Sequence, residues 1–200
     1  TYDDAHAFSD TAGELWLQTI DQIRPLVPDL YLLGKIGLIH AASDIYAMGG
    51  EVVSVLANLS IEESEGRVAD NLFAQLSAGG FDQASTEGFT IHGGHSTEGL
   101  ETQVGYAVTG RLLGASVRSK RGLRVGDVLV LTKPLGVGLI FAAAMQRQIE
   151  SGAIEAAIQV MLLSNRNAVN AVNGLDISAM TDVTGFGLAG HLSEMVQGEE

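Results

Sequence analysis

Two isolated aspartates lie in segments of this chain that otherwise hold almost only apolar and small residues. Asp44 has no charged neighbour in residues 37–50 apart from His40, and Asp182 has none in residues 177–190. A carboxylate in such surroundings is costly to desolvate unless a cation or several hydrogen-bond donors meet it. The sequence therefore predicts a fold that gathers these carboxylates at a site for Mg²⁺ and a polyphosphate.

The composition indicates a globular protein with a sizeable core. A length of 200 residues, a hydrophobic fraction of 46% and 25 glycines suit an α/β or α+β protein. The net charge of −13 argues against binding to nucleic acid or an anionic membrane by charge alone. The absence of cysteine excludes disulfides and thiolate metal sites in this chain and fits a cytoplasmic protein. Neither a membrane-spanning run nor a targeting signal is visible.

Hydrophobic patterning predicts an N-terminal unit of alternating strands and helices. Strands are expected at residues 15–20, 51–61, 89–94 and 101–113, and helices at residues 30–48 and 62–78. The first of these helices carries His40 and Asp44 on one face, because the two residues are four positions apart.

A basic, turn-rich stretch at residues 114–126 is the candidate domain boundary. The chain is thus expected to form an N-terminal domain of residues 1–113 and the start of a second, truncated domain of residues 114–200. In the second part, strands are expected at residues 127–132 and 177–180, and helices at residues 135–148, 154–172 and 187–196.

Acidic residues recur at predicted strand ends and helix faces: Asp3, Asp4, Asp21, Asp44 and Asp182. Magnesium prefers oxygen ligands and usually bridges to substrate phosphates. Each position also has a structural alternative: a solvated terminal pair at Asp3 and Asp4, an ion pair with Arg24 at Asp21, and a cap or turn carboxylate at the other two. The shared pattern favours metal binding more strongly than any one residue does.

Other candidates are weaker. Gly93-Gly94-His95 could bring backbone N–H groups close to a phosphate, although a tight turn with an incidental histidine is the more common situation. Lys133, at a predicted strand-to-helix junction, could reach a phosphate or simply lie on the surface. His40 could orient Asp44, touch a nucleotide or fill the core. A basic cluster is expected to be a solvated linker: Arg111, Arg118, Lys120, Arg121 and Arg124.

Taken together, the motifs resemble the selenophosphate synthetase (selenide, water dikinase) family, of the aminoimidazole-ribonucleotide-synthetase-like ATP-binding superfamily. The resemblance covers essentially the whole chain. It is carried, in order, by Asp3-Asp4-Ala5, Gln18-Thr19-Ile20-Asp21, Ala42-Ser43-Asp44-Ile45-Tyr46-Ala47-Met48-Gly49-Gly50, Gly93-Gly94-His95-Ser96, Leu131-Thr132-Lys133-Pro134-Leu135-Gly136 and Thr181-Asp182-Val183-Thr184-Gly185-Phe186-Gly187-Leu188-Ala189-Gly190-His191.

This resemblance implies an α+β fold. An N-terminal mixed sheet with helices would dimerise into a shared β-barrel, and an incomplete second α/β domain would follow it. It also implies that ATP, selenide and water give selenophosphate, AMP and phosphate. By matched position, magnesium would be bound by Asp4, Asp44 and Asp182. ATP would be contacted by Asp3, Asp21, Asp44, Gly93, Gly94 and His95.

The chain departs from the family pattern at its ends. Family members carry an upstream glycine-rich segment with a catalytic cysteine or selenocysteine and a lysine, and this chain starts beside the Asp3-Asp4 pair. We therefore expect no catalytic residue within it, and expect the piece to bind nucleotide or Mg²⁺ without turning over selenide. His40, where many members have asparagine, together with Ser96-Thr97-Glu98-Gly99, is similar to variants fused behind a flavin-type oxidoreductase domain.

Two other functions remain open at this point. One is another ATP-dependent superfamily member, such as a thiamine-monophosphate kinase, a hydrogenase-maturation dehydratase or a purine-pathway synthetase. The other is a non-catalytic paralogue that binds nucleotide or only dimerises.

Overall fold

The strands of the N-terminal half form one mixed sheet. The computed structural model describes residues 3–114 and 116–196. The strands are β1 (His6–Ser9), β2 (Leu15–Ile23), β3 (Gly50–Glu62), β4 (Ile91–Gly99) and β5 (Gln103–Leu112). Their order is β1-β2-β5-β3-β4, with β3 and β4 parallel and the other neighbours antiparallel. The predicted α+β class with a mixed sheet is confirmed.

Two helices cover one face of this sheet, α1 (Leu30–Ala47) and α2 (Arg67–Glu87). Helix α1 begins where the Asp29 carboxylate accepts a hydrogen bond from the backbone N–H of Leu32, at 3.0 Å. It ends before Gly49, whose φ of +82° is a left-handed conformation that favours glycine. Both helices were expected from the sequence, although α2 starts later and runs nine residues further than predicted.

Glycines let the backbones of α1 and α2 touch directly. A Cβ atom added at Gly34 would lie 2.2 Å from the carbonyl oxygen of Leu76, and one added at Gly79 would lie 1.9 Å from that of Tyr31. Both distances are far inside van der Waals contact, so α1 is pressed between α2 and the sheet. This packing fixes the position of the helix that carries Asp44.

The two faces of the sheet differ in burial. Leu17, Val55 and Val108 are buried beneath the helices, and the Tyr106 hydroxyl donates to the carbonyl oxygen of Gly34 at 3.2 Å. The opposite face carries a register row across four strands: Ile20, Ala107, Leu56 and Gly93. Ile20 is 66% exposed and Leu56 is 49% exposed, so this apolar face is open to solvent in the single chain.

The second half contains helices α3 (Val137–Met145), α4 (Ser151–Met161), α5 (Arg166–Ala171) and α6 (Gly187–Val196). The prediction of a single helix at residues 154–172 is wrong, because residues 162–165 are not helical and separate α4 from α5. There the Ser164 hydroxyl donates to Glu87 at 2.8 Å and the Asn165 side chain donates to Ser43 at 2.7 Å. The polar side chains of this interruption therefore form hydrogen bonds to the N-terminal half.

The strands expected at residues 127–132 and 177–180 are also wrong. Both stretches are irregular, since the part of the chain that the structure describes holds no strand beside them with which to pair. The expected turn at Gly93-Gly94 is wrong as well, because β4 runs on through both glycines. Gly94 lies so close to β3 that an added Cβ would meet the carbonyl oxygen of Ala57 at 1.9 Å. Strand β1 was not predicted.

Over residues 3–114 and 116–196, no helix joins enough length to enough apolar character to cross a bilayer.

The backbone contact between α1 and α2 can be tested with Gly79→Ala. The new methyl group would collide with the Tyr31 carbonyl, so we expect a loss of about 1–3 kcal/mol in the free energy of unfolding, measured by urea denaturation. Gly152→Ala in α4 is the matched control. A Cβ there meets nothing within 4 Å, and the change should be neutral or stabilising by up to about 1 kcal/mol. Equal stabilities of the two variants would contradict the close packing.

Candidate functional site

Four aspartates from distant parts of the chain converge between the two halves. Asp4 precedes β1, Asp21 lies on β2, Asp44 lies on the last turn of α1, and Asp182 lies in the loop before α6. They are close enough for the charge of one carboxylate to shift the pKa of another. The charge of Asp182 raises the pKa of each of the other three, and Asp21 and Asp4 raise that of Asp44. Carboxylates that the sequence predicted as a set are thus brought together.

Asp44 is the most strongly perturbed member of this carboxylate cluster. Burial raises its pKa from 3.8 to about 8. A hydrogen bond from the Thr19 hydroxyl, at 2.6 Å, opposes that effect, while the neighbouring carboxylates add to it. Thr19 reaches Asp44 because β2 lies beneath α1, with Thr19 on the helix-covered face of the strand.

Asp4 shows the same behaviour. Burial first, and then the charge of Asp182, raise its pKa to about 7. One carboxylate oxygen, Oδ1, accepts a hydrogen bond from the Thr181 hydroxyl at 3.1 Å. The other, Oδ2, is buried and has no hydrogen-bond partner among the residues that the structure describes. An orphaned, buried carboxylate oxygen is costly and indicates that a further group belongs beside it.

Asp21 pairs with His40, one turn of α1 before Asp44. The distance from His40 Nε2 to Asp21 Oδ2 is 3.6 Å. Burial raises the pKa of Asp21, the charge of His40 lowers it and Asp182 raises it. The alternative ion pair between Asp21 and Arg24 is absent, because Arg24 lies 3.2 Å from Glu101 instead.

Asp3 is engaged with the segment that follows β5. Its carboxylate accepts hydrogen bonds from the Ser119 hydroxyl at 2.7 Å and from the backbone N–H of Lys120 at 3.1 Å. The side chain of Lys120 is only 13% exposed, and its Nζ lies 3.5 Å from Glu194. The expectation of a solvated basic linker is therefore wrong at Lys120. This residue connects Glu194 on α6 with Asp3.

A groove of about 550 Å³ lies beside Asp4 of the cluster. It opens toward the uncovered face of the sheet, because Ile20 and Ala107 belong to its lining. The lining residues are Asp3, Asp4, Ala5, His6, Gln18, Thr19, Ile20 and Ala107. Asp4 is therefore the member of the carboxylate cluster that lines this groove, beside Asp3 and Thr19.

Gly93-Gly94-His95 is not brought to this cluster within one chain. Strands β5 and β3 lie between β2 and β4, and the register row runs from Asp21 through Tyr106 and Ala57 to Gly94. Three interstrand spacings separate the ends of that row by roughly 14 Å. His95 is exposed on the edge strand.

Lys133 lies near Asp182 of the cluster. Its ammonium group donates a hydrogen bond to the carbonyl oxygen of Leu163. Burial lowers the pKa of Lys133, while Asp182 and Glu87 oppose that shift. A partly desolvated lysine close to Asp182 can offset some of the negative charge and can meet an anion beside the cluster.

The oxygen atoms suit a hard cation, but they do not form a complete cage. Across residues 3–114 and 116–196, no three His, Asp or Glu side chains are close enough to hold one ion by themselves. A cation at this cluster would therefore share its coordination with water or with ligand oxygens, as Mg²⁺ commonly does.

Three polar residues around the cluster stand in the motifs that carry the family resemblance but were given no role from the sequence: Thr19, Thr181 and His191. The two threonines could have been found from their positions, since Thr19 is two residues before Asp21 in an alternating strand and Thr181 directly precedes Asp182. His191 accepts a hydrogen bond from the backbone N–H of Thr184 at 3.1 Å. No spacing rule for metal ligands would have pointed to that contact.

Known proteins resemble this chain in both sequence and fold. The selenide, water dikinase of Geobacter metallireducens is 37% identical over 198 residues, which are 99% of this chain and 57% of that protein. The chain thus spans little more than half the length of this curated relative. A solved thiamine monophosphate kinase from Aquifex aeolicus has a TM-score of 0.74 at 17% identity, covering 90% of this chain and 62% of its own. The hydrogenase maturation protein HypE in complex with ATP also has a TM-score of 0.74, at 18% identity, with 90% and 54% covered. At such identities the two structures show the shared fold alone.

Family descriptions match both halves of the molecule. Residues 2–115 match "AIR synthase related protein, N-terminal domain", and residues 124–200 match "AIR synthase related protein, C-terminal domain". Asp4, Asp21 and Asp44 fall in the first match and Asp182 falls in the second, so the carboxylate cluster lies where the two matched regions meet. The chain belongs to the AIR synthase related protein family.

Proposed function

We propose that this chain is the Mg²⁺- and ATP-binding part of a selenide, water dikinase, which makes selenophosphate, AMP and phosphate from ATP, selenide and water. The observation that carries the proposal is the convergence of Asp4, Asp21, Asp44 and Asp182, three of which have burial-raised pKa values. Such a cluster is unfavourable without a cation. The curated relative at 37% identity supports this reaction over others in the family.

The chemistry of the cluster fits magnesium. Asp4, Asp44 and Asp182 would contribute oxygen ligands to bound magnesium together with water and substrate oxygens, and the buried Oδ2 atom of Asp4, which accepts no hydrogen bond, is the clearest candidate ligand. When bound, the metal supplies neutralisation of the charge on a triphosphate. Mg²⁺ is usually held by one or two carboxylates together with water and substrate phosphates, which is consistent with an incomplete cage.

The surrounding side chains position these ligands. Thr19 donates to one oxygen of Asp44 and Thr181 donates to one oxygen of Asp4, so each carboxylate keeps a second oxygen to which neither threonine donates. His40, one turn before Asp44 on α1, lies 3.6 Å from Asp21. Catalysis in such a site consists mainly of positioning and charge stabilisation, because the protein makes little covalent contribution to phosphoryl transfer.

A homodimer would explain the distant glycine motif. The apolar row on the uncovered sheet face includes Gly93, and the groove opens toward that same face. Two copies that pack through this face would bring Gly93-Gly94-His95 of one copy toward the groove of the other. The proposed nucleotide contact of that motif would then be made between copies, since it lies too far from the cluster within one chain.

Likeness of fold does not favour the competing reactions. The thiamine monophosphate kinase and HypE structures are only 17 to 18% identical to this chain. In the full-length protein, AMP formation that requires selenide would support the dikinase. ATP turnover that depends instead on thiamine monophosphate, or no turnover at all, would favour another family activity or a non-catalytic paralogue.

Asp44→Asn tests the metal assignment. The change removes charge at nearly constant volume, so the fold should persist while Mg²⁺-dependent binding of AMPPCP weakens at least about tenfold, or about 1.4 kcal/mol. Isothermal titration calorimetry measures this affinity. Asp70→Asn, at an exposed position on α2, is the matched control and should bind as the parent does. Unchanged affinity in Asp44→Asn would remove Asp44 from the site.

The raised pKa values predict an unusual pH dependence of stability. Folding raises the pKa of Asp4 from 3.8 to about 7 and that of Asp44 from 3.8 to about 8, so both hold protons more tightly in the folded chain. Without divalent ions, the free energy of unfolding should therefore fall as pH rises from about 4 through about 8. Magnesium competes with these protons, so its stabilising effect should grow over the same range.

Thermal melting between about pH 5 and about pH 8.5, with and without Mg²⁺, measures both trends. Carboxyls with lowered pKa values, such as Asp10 and Asp82, lose their protons below that window and do not obscure it. The double variant Asp4→Asn/Asp44→Asn should show a much flatter profile. A metal-free protein that became more stable across this range would contradict the burial of the two carboxyls.

Leu56→Glu tests the dimer. A charge in the centre of the uncovered sheet face should convert a species of about twice 20.9 kDa into one of 20.9 kDa in sedimentation velocity. Phe81→Glu is the control, because Phe81 is 55% exposed on α2, away from that face. A parent chain that sediments as a monomer, or a Leu56→Glu variant that still dimerises, would contradict this interface.

A further inference from the structure

His191 is a buried polar ring in the second half of the molecule. It lies on α6 and is 5% exposed. Its Nε2 atom lies 3.1 Å from the backbone nitrogen of Thr184, which donates to it, and 3.4 Å from the Thr184 hydroxyl. A ring nitrogen that accepts from a backbone N–H carries no proton, so a neutral ring has its proton on Nδ1.

The other ring nitrogen points toward Glu194. The distance from Nδ1 to the Glu194 carboxylate is 3.6 Å, and Nδ1 makes no hydrogen bond within the described parts of the chain. Glu194 in turn lies 3.5 Å from Lys120 Nζ, and the backbone N–H of Lys120 donates to Asp3. One helix therefore contacts both the loop that carries Asp182 and the segment that binds Asp3.

The same loop is bonded to the cluster from its other end. Thr181 donates to Asp4 at 3.1 Å, and the backbone N–H of Met180 donates to the carbonyl oxygen of Ser119 at 2.9 Å. Asp182 lies between these contacts and the Thr184–His191 hydrogen bond. Its own placement is thus set by a short loop that is fixed on both sides.

We propose that His191 is a positioning residue that holds the loop of residues 181–187, and with it Asp182, at the carboxylate cluster. This inference rests on the proposed function, since it assigns Asp182 to the magnesium site. A buried apolar side chain would fill the same volume without leaving a ring nitrogen short of a partner, which costs free energy. The hydrogen bond from Thr184 is what the imidazole supplies and an apolar residue cannot.

Two substitutions separate the hydrogen bond from simple packing. His191→Gln can place its amide oxygen near the position of Nε2 and so can still accept from Thr184, whereas His191→Phe fills the space without an acceptor. We expect His191→Phe to raise the amide hydrogen exchange of Thr184 and to weaken Mg²⁺-dependent AMPPCP binding by about 10–100-fold. His191→Gln should restore both properties toward those of the parent.

The outcomes distinguish this inference from the function on which it rests. If the parent chain does not bind Mg²⁺ and AMPPCP, the proposed function fails, and exchange at Thr184 still decides whether His191 holds the loop. Parent-like exchange and affinity in His191→Phe would overturn the inference, as would a His191→Gln variant no better than His191→Phe.

A measurement on the unaltered protein covers the case in which a variant does not fold. The imidazole ¹⁵N shifts of His191 report its tautomer. The proton on Nδ1, with Nε2 unprotonated, supports the contact with Thr184, and a proton on Nε2 in the neutral ring would overturn it.

Discussion

Repulsion among half-buried carboxylates is the constraint on which the rest of the structure depends. Asp4, Asp21, Asp44 and Asp182 share one region, and burial adds to their mutual repulsion. Four side chains offset only part of this cost: Thr19, Thr181, His40 and Lys120. Packing elsewhere in the fold must offset the remaining repulsion. A divalent cation is the simplest group that would reduce the repulsion itself.

That packing is found where α1 is pressed between α2 and the sheet. Glycines at the helix contact allow backbone to meet backbone, and the Tyr106 hydroxyl bonds to Gly34 from below. This packing places the last turn of α1, with Asp44, against β2 although the neighbouring carboxylates repel one another. The Thr19–Asp44 hydrogen bond, between strand and helix, depends on that rigid placement.

Local patterns predicted those parts of the molecule that depend on local forces. His40 and Asp44 were placed on one helix face by their spacing, and the isolation of Asp44 and Asp182 pointed to a shared site. Non-local contacts were not predictable. The bonds of Ser119 and Lys120 to Asp3 join residues more than a hundred positions apart. The run at residues 127–132 has the residue pattern of a strand, but strand formation also depends on a pairing partner elsewhere in the chain. Similarly, the sequence Gly93-Gly94 is typical of a turn, but parallel pairing with β3 keeps both residues in strand β4.

The hydrogen bond between Thr181 and Asp4 spans 177 positions of the chain. If the cluster binds a cation as proposed, that binding would report whether the two halves have docked. If the halves acquired their own secondary structure without docking, circular dichroism would hardly register the failure, yet the ligand shell would be split in two. On partial denaturation, the affinity for a cation would then be lost before the helical circular dichroism signal.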